Sequence, residues 1–477
     1  MAVETHDRLG ARQAAPPAAA PEAPGRLARA DLMLLAFLGA VATGLQLLRQ
    51  PNVQSWDSVW QEDGGIFLTD ALANPFLETL VTPYNAYLHT LPRLIAGPVA
   101  LVGLEHAALL LSLLSAVTVT LLAIYVYFAS ARVFHTQWAR VVLALSVVLL
   151  PAAGYETNAN IANLHWYLIF ACFWVFIAAP RTTSGIAVGV TIVALAVLSD
   201  PLAALLAPLP LIALWRDRTW RGRAIPLVFL GTLAVQLVLG VVEDPVAPYA
   251  SSHLADVPKI YALRVTGSFL VGDLFLDDLW KPWGLPFALA AFLVVAAVCA
   301  YGLLRADWGR RMLIGGSLAL SGGYLAVPLM LRGTENFLDR DGFNLNGSRY
   351  VLLPILFLTV AVLLTLDRRD PRLSSSRAWR NVQIGFSALA AALVLTNFSI
   401  VTTRSAGPKW EQSIAAARER CATVGGRRPG SPPKVGSIPS RRLPAGDVRI
   451  PIAPNVPITP ETPYSPFAVT VDCRHLR

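Results

Sequence analysis

Apolar residues occur along most of the chain in runs of about twenty, separated by shorter polar segments. A run of this length is what an α-helix needs to cross a hydrocarbon core of about 30 Å. The pattern predicts an all-α polytopic membrane protein with about eleven transmembrane helices. The predicted spans cover residues 31–48, 108–130, 139–154, 164–180, 183–199, 202–215, 224–242, 285–304, 311–331, 350–366 and 381–401.

Two stretches fit this pattern less simply. The runs 183–199 and 202–215 are short and are interrupted by Ser199-Asp200-Pro201, so they also fit one bent hairpin. Residues 88–103 are apolar but contain two prolines and Arg93. This favours a juxtamembrane helix that lies in the membrane interface over a further span.

Arginine is concentrated in every second connection between the apolar runs, as the positive-inside rule requires of cytoplasmic loops. The clusters are Arg216, Arg218, Arg221 and Arg223, then Arg305, Arg310 and Arg311, then Arg368, Arg369, Arg372, Arg377 and Arg380. With a cytoplasmic N-terminus, the predicted spans put all of these inside. The same alternation puts residues 49–107, 155–163, 243–284, 332–349 and 402–477 on the extracytoplasmic side.

Composition agrees with the pattern. Of the 477 residues, 55% are hydrophobic and 14% are charged, and the mean hydropathy is +0.53. Soluble chains carry about 25% charged residues, so a soluble enzyme is excluded. Because the net charge of +9 is explained by the cytoplasmic loops, we expect no nucleic-acid partner. From the apolar runs and the arginine distribution, we expect a multi-pass protein of the inner (plasma) membrane, with its N-terminus cytoplasmic and its C-terminus extracytoplasmic.

The predicted organisation has three parts. Residues 1–30 are rich in Ala, Pro and Arg and are expected to form a disordered cytoplasmic tail. Residues 31–401 form the transmembrane domain, and 402–477 a Pro-rich extracytoplasmic tail. Both cysteines of that tail lie on the oxidising side, so a Cys421–Cys473 disulfide is predicted.

The first outer loop contains adjacent carboxylates, Glu62 and Asp63, followed by two glycines. Two like charges so close together repel each other, and such a pair often holds a cation or has a raised pKa. Oxygen ligands would suit Mg²⁺ or Mn²⁺. One carboxylate could instead act as a general base, and a solvated acidic turn is the alternative.

Other outer segments also carry polar side chains near span ends. The second outer loop contains Glu156, Asn158 and His165, and ionisable groups at membrane depth are functional candidates. His165 could pair with Glu156, contact a phosphate, or be a hydrogen-bonded interfacial histidine. Asp200 is a third outer carboxylate, or alternatively a helix cap.

A phosphate group could bind beside the tenth span. Arg349 precedes Tyr350 there, and a guanidinium group offers a fork of donors to phosphate oxygens. Snorkelling to lipid headgroups is the alternative. Lys281 is a further phosphate candidate. The sequence has no Walker A motif, so an outer reaction needs a donor that is already carried by a lipid.

With these features the chain resembles the GT-C superfamily of integral-membrane glycosyltransferases. The resemblance rests on Trp60-Gln61-Glu62-Asp63-Gly64, on the segment from Tyr84 to Arg93, and on the second acidic loop. Members include bacterial mannosyl-, arabinosyl- and aminoarabinosyltransferases and the oligosaccharyltransferases. The resemblance covers residues 31–401 and implies juxtamembrane helices in the first outer loop. Arginine and alanine usage suggests an actinobacterial branch with a cell-wall acceptor.

The resemblance implies a polyprenyl-phosphate-sugar donor and a glycan, lipid or protein acceptor, with membrane lipids around the chain. Its acidic positions fall on Glu62, Asp63 and Glu156, with Asp63 as the general base. The expected substrate-binding residues are Glu156, Asn158, His165, Tyr87, Arg93, Arg349, Tyr350 and Lys281. Whether a divalent metal takes part is left open, since the first motif is Glu-Asp and not Asp-x-Asp.

Three other functions remain compatible with the sequence. One is an O-antigen polymerase or ligase, which also uses polyprenyl-linked glycans. The second is a transporter or flippase of lipid-linked sugars, which would place charged residues near the middle of the membrane. The third is a non-catalytic membrane scaffold whose outer tail is a binding module.

Overall fold

The computed structural model describes residues 29–242, 251–334, 337–338, 347–367, 376–424, 447–454 and 467–476. The predicted tail before Arg29 therefore lies outside the described residues. The α-helices are α1 (Arg29–Leu48), α2 (Thr69–Ala73), α3 (Phe76–Val81), α4 (Thr90–Val102), α5 (Ala107–Ala129), α6 (Gln137–Leu149), α7 (Ala153–Glu156), α8 (Leu164–Ala178), α9 (Thr183–Ser199), α10 (Pro208–Arg216), α11 (Trp220–Val242), α12 (Val257–Ile260), α13 (Ser268–Trp283), α14 (Leu285–Arg305), α15 (Trp308–Arg332), α16 (Arg349–Leu366), α17 (Arg377–Thr396) and α18 (Trp410–Val424).

The predicted fold class, an all-α polytopic membrane protein, is confirmed. Within the described residues, seven helices are long and apolar enough to cross a membrane: α1, α5, α11, α14, α15, α16 and α17. Three further predicted spans correspond to the shorter apolar helices α6, α8 and α9. The predicted span 202–215 is instead a 3₁₀ turn, Pro201–Leu206, followed by the nine-residue α10. Pro201, Pro208 and Pro210 cannot donate backbone hydrogen bonds, which favours this interruption.

Side-chain contacts sort the connections into two opposite ends of the helix bundle. At one end, the carboxylate of Asp367 accepts hydrogen bonds from the backbone nitrogens of His135 and Thr136 at 2.8 and 3.0 Å. Nη2 of Arg310 lies 3.5 Å from the same carboxylate. At the other end, Arg49 donates to the carbonyl of Leu150 at 3.1 Å. These contacts group the loops near residues 135, 310 and 367 at one end and those near residues 49 and 150 at the other.

The first outer loop forms several short helical segments, one of which is π-helical. Asp63–Leu68 is a π-helical segment that leads into α2, and α3 and α4 follow. These are the juxtamembrane helices that the resemblance implies. On α4, Leu91, Ile95 and Val99 are buried, whereas Leu101 on the opposite side is 88% exposed. An exposed leucine beside a buried apolar face is typical of a helix that also contacts lipid.

The outer tail packs onto this loop. It contains α18 and an antiparallel hairpin of β1 (Asp447–Pro451) and β2 (Ala468–Asp472), in which Val448 pairs with Val471. A disulfide joins Cys421 to Cys473, with Cα atoms 5.5 Å apart. This is the pairing that the sequence analysis expects. It ties α18 to the residues that follow β2.

Candidate active site

Asp63 lies at the centre of the outer end of the bundle. It begins the π-helical segment and is 1% exposed. Its Oδ2 and Oδ1 accept hydrogen bonds from the backbone nitrogens of Ile161 and Ala162, at 3.0 and 2.9 Å. The two outer loops that were singled out from the sequence therefore meet at this carboxylate. Because each oxygen has a second lone pair, a further donor can still be accepted.

Burial sets the protonation of Asp63. It raises the pKa of this carboxyl to about 7, although the charge of Arg404 and the two amide hydrogen bonds act in the opposite direction. The neighbouring Glu62 contributes a smaller repulsive increase. The carboxyl therefore exchanges its proton near neutral pH, which is the range in which a general base is most effective.

Glu62 differs from its neighbour. Its side chain is half-buried, and its carboxylate makes no hydrogen bond or ion pair with another residue in the described part of the chain. Its charge acts on both Asp63 and Arg349. Glu62 is thus the more accessible carboxylate of the pair, while Asp63 is held by the backbone of the second loop.

Glu156 and Arg349 form an ion pair at the same end, with Oε1 and Nη1 3.3 Å apart. The other carboxylate oxygen of Glu156 accepts from the backbone nitrogen of Arg349 at 3.0 Å and from Oγ of Ser348 at 3.3 Å. Glu156 is 3% exposed, whereas about a quarter of the Arg349 side chain remains accessible. The guanidinium also lies over the ring of Tyr350, 5.0 Å from its centroid.

His165 pairs with Asp200, and not with Glu156. Its Nε2 lies 3.2 Å from Oδ2 of Asp200, and its Nδ1 lies 2.8 Å from the carbonyl oxygen of Ala162. A carbonyl can only accept, so Nδ1 carries a hydrogen. One further proton must then lie between Nε2 and Oδ2. The same Ala162 donates its N–H to Asp63, so the backbone of this one residue contacts both Asp63 and the His165–Asp200 pair.

Asp200 also caps a helix. Its Oδ1 accepts from the backbone nitrogen of Leu202 at 2.7 Å, just before Pro201 at the start of the 3₁₀ turn. The helix cap that the sequence offered as one interpretation is therefore present, and the functional interpretation stays a prediction. Burial raises the pKa of Asp200 to about 7, against the effects of the Leu202 amide and of Arg332.

An aromatic cluster borders these groups. The rings of Tyr87 and His89 stack with centroids 4.1 Å apart, and Phe67 lies 5.3 Å from His89. Burial raises the pKa of the Tyr87 phenol, and the charges of Asp200 and Arg332 also act on it. Tyr87, which the sequence analysis expects to bind substrate, thus lies within electrostatic range of Asp200 and of Arg332, which the sequence analysis did not single out.

Three predicted binding residues have other partners. Arg93 is 2% exposed, and its Nη1 donates to Asp70 at 2.9 Å. Asn158 donates to the carbonyl of Gln46 at 2.8 Å. Lys281 is on α13 and pairs with Asp277 one helical turn away, with its side chain half exposed. Each of the three therefore has at least one partner within the protein, and its role in substrate binding stays a prediction.

Arg404 is a residue that the sequence analysis missed. It follows the last span, and its guanidinium donates to the carbonyls of Ala159 and Ser58 at 2.9 and 3.0 Å and to Oγ of Ser112 at 3.0 Å. It is 4% exposed. An arginine on the outer side runs against the charge bias of the chain, and this was the available signal. Arg404 therefore donates hydrogen bonds to both of the loops that meet at Asp63.

The described residues contain no cluster of three or more His, Cys, Asp or Glu side chains with metal-binding geometry. Glu62 and Asp63 would supply at most two side-chain ligands, and both Asp63 oxygens already accept amide hydrogen bonds. A Mg²⁺ ion bound there would have to keep several waters or take substrate oxygens, as this ion commonly does.

Comparison of the chain with known proteins gives a structural similarity but no match by sequence. No protein-family model matches it, and no curated protein matches it. Among solved structures, it is similar to the Archaeoglobus fulgidus oligosaccharyltransferase crystallised with zinc and sulfate, with 15% sequence identity and a TM-score of 0.44. The match covers 82% of this chain and 56% of that protein, so the chain spans about half of its length. No residue role is transferred from that protein.

Proposed function

We propose that the protein is a membrane glycosyltransferase that moves a sugar from a polyprenyl-phosphate donor to an acceptor of the cell envelope on the extracytoplasmic face. In this reaction the acceptor oxygen forms a bond to the anomeric carbon, and the bond from that carbon to the phosphate oxygen breaks. Polyprenyl phosphate leaves, and the acceptor proton passes to a base. The proposal rests on the meeting of Asp63 with the Glu156–His165 loop at one end of the bundle.

Asp63 is the proposed general base. Support comes from its pKa of about 7 and from the two backbone amides that fix its position. A base that is held rigidly and is close to neutral in pKa can take the hydroxyl proton as the new bond forms. The half-buried Glu62 next to it is suited to orient the acceptor, since its own carboxylate has room for hydroxyl donors.

Arg349 is the proposed ligand of the donor phosphate. Glu156 engages Nη1, while part of the side chain remains accessible from outside the protein. A guanidinium that is anchored on one edge keeps further N–H donors for phosphate oxygens. Stabilising the charge on the departing phosphate in this way would lower the barrier by several kcal/mol. Arg332 would add a second positive charge close to the same region.

The distribution of buried charge favours an enzyme over a transporter. Within the described residues, the buried Asp, Glu and Arg side chains all lie outside the spans that the sequence predicts, including Arg264 and Asp273 in the segment before α14. Asp63, Glu156 and Asp200 share the outer end. A transporter of lipid-linked sugars needs polar groups near the middle of the membrane, where its substrate crosses.

The test is sugar transfer by membranes that contain the protein. A panel of radiolabelled polyprenyl-phosphate-sugars would be supplied to wild type, Asp63→Asn and Glu62→Gln, each with and without EDTA. We expect the Asp63→Asn change to lower transfer by about 10²–10⁴-fold, which is the usual contribution of a general base. Glu62→Gln should mainly raise the acceptor KM.

The outcomes separate the alternatives. If Asp63→Asn kept more than about a tenth of the wild-type rate, Asp63 would not be the general base. If only Glu62→Gln lost most of the activity, Glu62 would be the base and Asp63 would orient the acceptor. Wild-type protein that is folded, with its disulfide formed, yet inactive with every donor would contradict the proposed activity. Sensitivity to EDTA would add a divalent cation to the mechanism.

A further inference from the structure

Helix α17 has weak packing for a membrane-spanning helix. None of its residues is buried, although it runs from Arg377 to Thr396. Near its beginning, Trp379 donates to the carbonyl of Leu366 at 3.1 Å. At its end, Oδ1 of Asn397 accepts from the backbone nitrogen of Leu274 at 2.8 Å. Side-chain hydrogen bonds therefore hold this helix near its two ends.

Between these attachments, an apolar groove of about 720 Å³ lies between α17 and α6, and the two helices are joined at one end of the groove by a hydrogen bond from Trp138 to Ser387. The groove is lined by both helices and by Ile355 and Thr359 of α16. The part of α6 from Trp138 to Leu149 that lines it is about 17 Å long at 1.5 Å per residue. This length is close to one leaflet of hydrocarbon, which is half of about 30 Å.

A groove of this kind has to be filled. Walls of leucine, valine and alanine do not hold ordered water, and an empty groove would lose the dispersion contacts of its lining atoms. In a bilayer the nearest filling is a hydrocarbon chain of a lipid. The charge at each end of the groove then determines which type of headgroup binds and at which end.

The two ends of the groove differ in charge. At the Arg-rich end it adjoins a second cavity of about 410 Å³, lined by Trp138, Arg380, Gln383, Ile384, Ser387 and Ala388. The two cavities share Trp138 and Ser387, which are joined by a hydrogen bond of 2.7 Å. The exposed guanidinium of Arg380 forms no ion pair or hydrogen bond with another described side chain.

The outer end offers no comparable cation. The residues that line the groove at this end are Leu149, Leu150, Pro151 and Leu395. Arg49 is near, but it is 3% exposed and donates to the carbonyls of Leu150 and Pro151. An anionic headgroup would thus be bound at Arg380 and not at the outer mouth.

We propose that this groove is a binding site for one anionic phospholipid of the leaflet that faces the arginine-rich loops, with an acyl chain between α6 and α17 and its phosphate at Arg380. The site is separate from the proposed sugar-transfer site at the opposite end. The bound lipid fills the gap and holds α17 against the bundle.

The experiment measures bound lipid, so it does not depend on transfer activity. The full-length protein would be purified in mild detergent, and retained phospholipid would be measured by native mass spectrometry and by lipid extraction. We expect about one anionic phospholipid per wild-type chain. Ala390→Phe, which fills the groove, and Arg380→Gln, which removes the cation, should each lower retention at least tenfold, while Arg380→Lys should stay near wild type.

Two matched variants control for these changes. Ala300→Phe places the same ring on the exposed side of α14, and Arg305→Gln removes an exposed arginine at the end of that helix. Both should keep the lipid. Equal retention in all variants would overturn the site, and preferential retention of a zwitterionic lipid would overturn the role of Arg380. Stoichiometric displacement by a polyprenyl phosphate would show that the occupant is the donor and not a phospholipid.

Discussion

Glu156 and Arg349, 193 positions apart in the chain, are joined by a side-chain ion pair of 3.3 Å and by a backbone hydrogen bond of 3.0 Å to the same carboxylate. This pairing connects the second outer loop to the first turn of α16. It also determines which N–H groups of Arg349 remain available. The proposed role of Arg349 in donor binding would therefore be linked to stability through one carboxylate.

Removal of Glu156 should lower stability, whereas removal of Arg349 should lower stability and also weaken donor binding. Glu156→Gln removes the charged acceptor of three hydrogen bonds, from the backbone nitrogen and Nη1 of Arg349 and from Oγ of Ser348. We therefore expect the free energy of unfolding to fall by about 1–3 kcal/mol. Arg349→Gln should additionally raise the donor KM at least tenfold. Thermal unfolding of both single variants and the double variant would measure the coupling. Losses that add to within about 0.5 kcal/mol would show that the pair is not an interacting unit.

The raised pKa of Asp63 predicts a pH dependence of transfer. Burial brings this pKa to about 7, and a general base acts only when it is ionised. The rate should rise about tenfold per pH unit below pH 7 and level off above it. Asp63→Asn should abolish this rise in the residual rate. A wild-type profile that is flat between pH 5 and pH 8 would exclude Asp63 as the rate-controlling base.

The same group also contributes to stability. A carboxyl whose folded pKa exceeds its unfolded value of about 4 favours folding when protonated. The contribution of Asp63 should be complete below about pH 4 and lost as the pH rises through about 7. Asp63→Asn should remove this part of the pH dependence of the melting temperature. An unchanged slope in that variant would mean that other groups control it.

The single proton between His165 and Asp200 can be tested with an isostere. An asparagine can donate from its amide nitrogen to Nε2 of His165 while its oxygen still accepts from Leu202, as a protonated Asp200 would. We expect Asp200→Asn to retain most of the stability. Asp200→Ala should lose about 1–3 kcal/mol, because it leaves buried polar groups unpaired. Equal losses in the two variants would contradict a neutral pair.

Gly64 should be sensitive to a single added methyl group. A Cβ there would lie 2.6 Å from Val59 and 2.9 Å from both Ile452 and Val469, all of which are buried. Overpacking of this kind costs about 1–3 kcal/mol, and it would displace the tail hairpin. Gly231→Ala on α11 is the matched control, since nothing lies within 4 Å of its Cβ position. We expect faster proteolysis of the tail only in Gly64→Ala, and equal rates would contradict this packing.

Much of the architecture follows from local properties of the chain. Runs of about twenty apolar residues specify membrane helices wherever they occur, because an unpaired backbone cannot be solvated in hydrocarbon. The distribution of arginine predicts an alternation of the connections that agrees with the two ends of the bundle. Even the break at Pro201 is marked in the sequence, although the alternative of a regular span was also compatible with it.

The partners within the candidate site could not be read from such patterns. His165 lies near Glu156 in sequence but pairs with Asp200, and Arg404 reaches the acidic loops from beyond the last span. Arg93 is expected from the sequence to bind substrate, and no sequence pattern indicates its buried ion pair with Asp70. Hydrophobic periodicity acts over a few residues, whereas these pairs join segments tens to hundreds of residues apart. Their geometry arises when helices pack together and bring distant polar groups out of water, where each must find a partner.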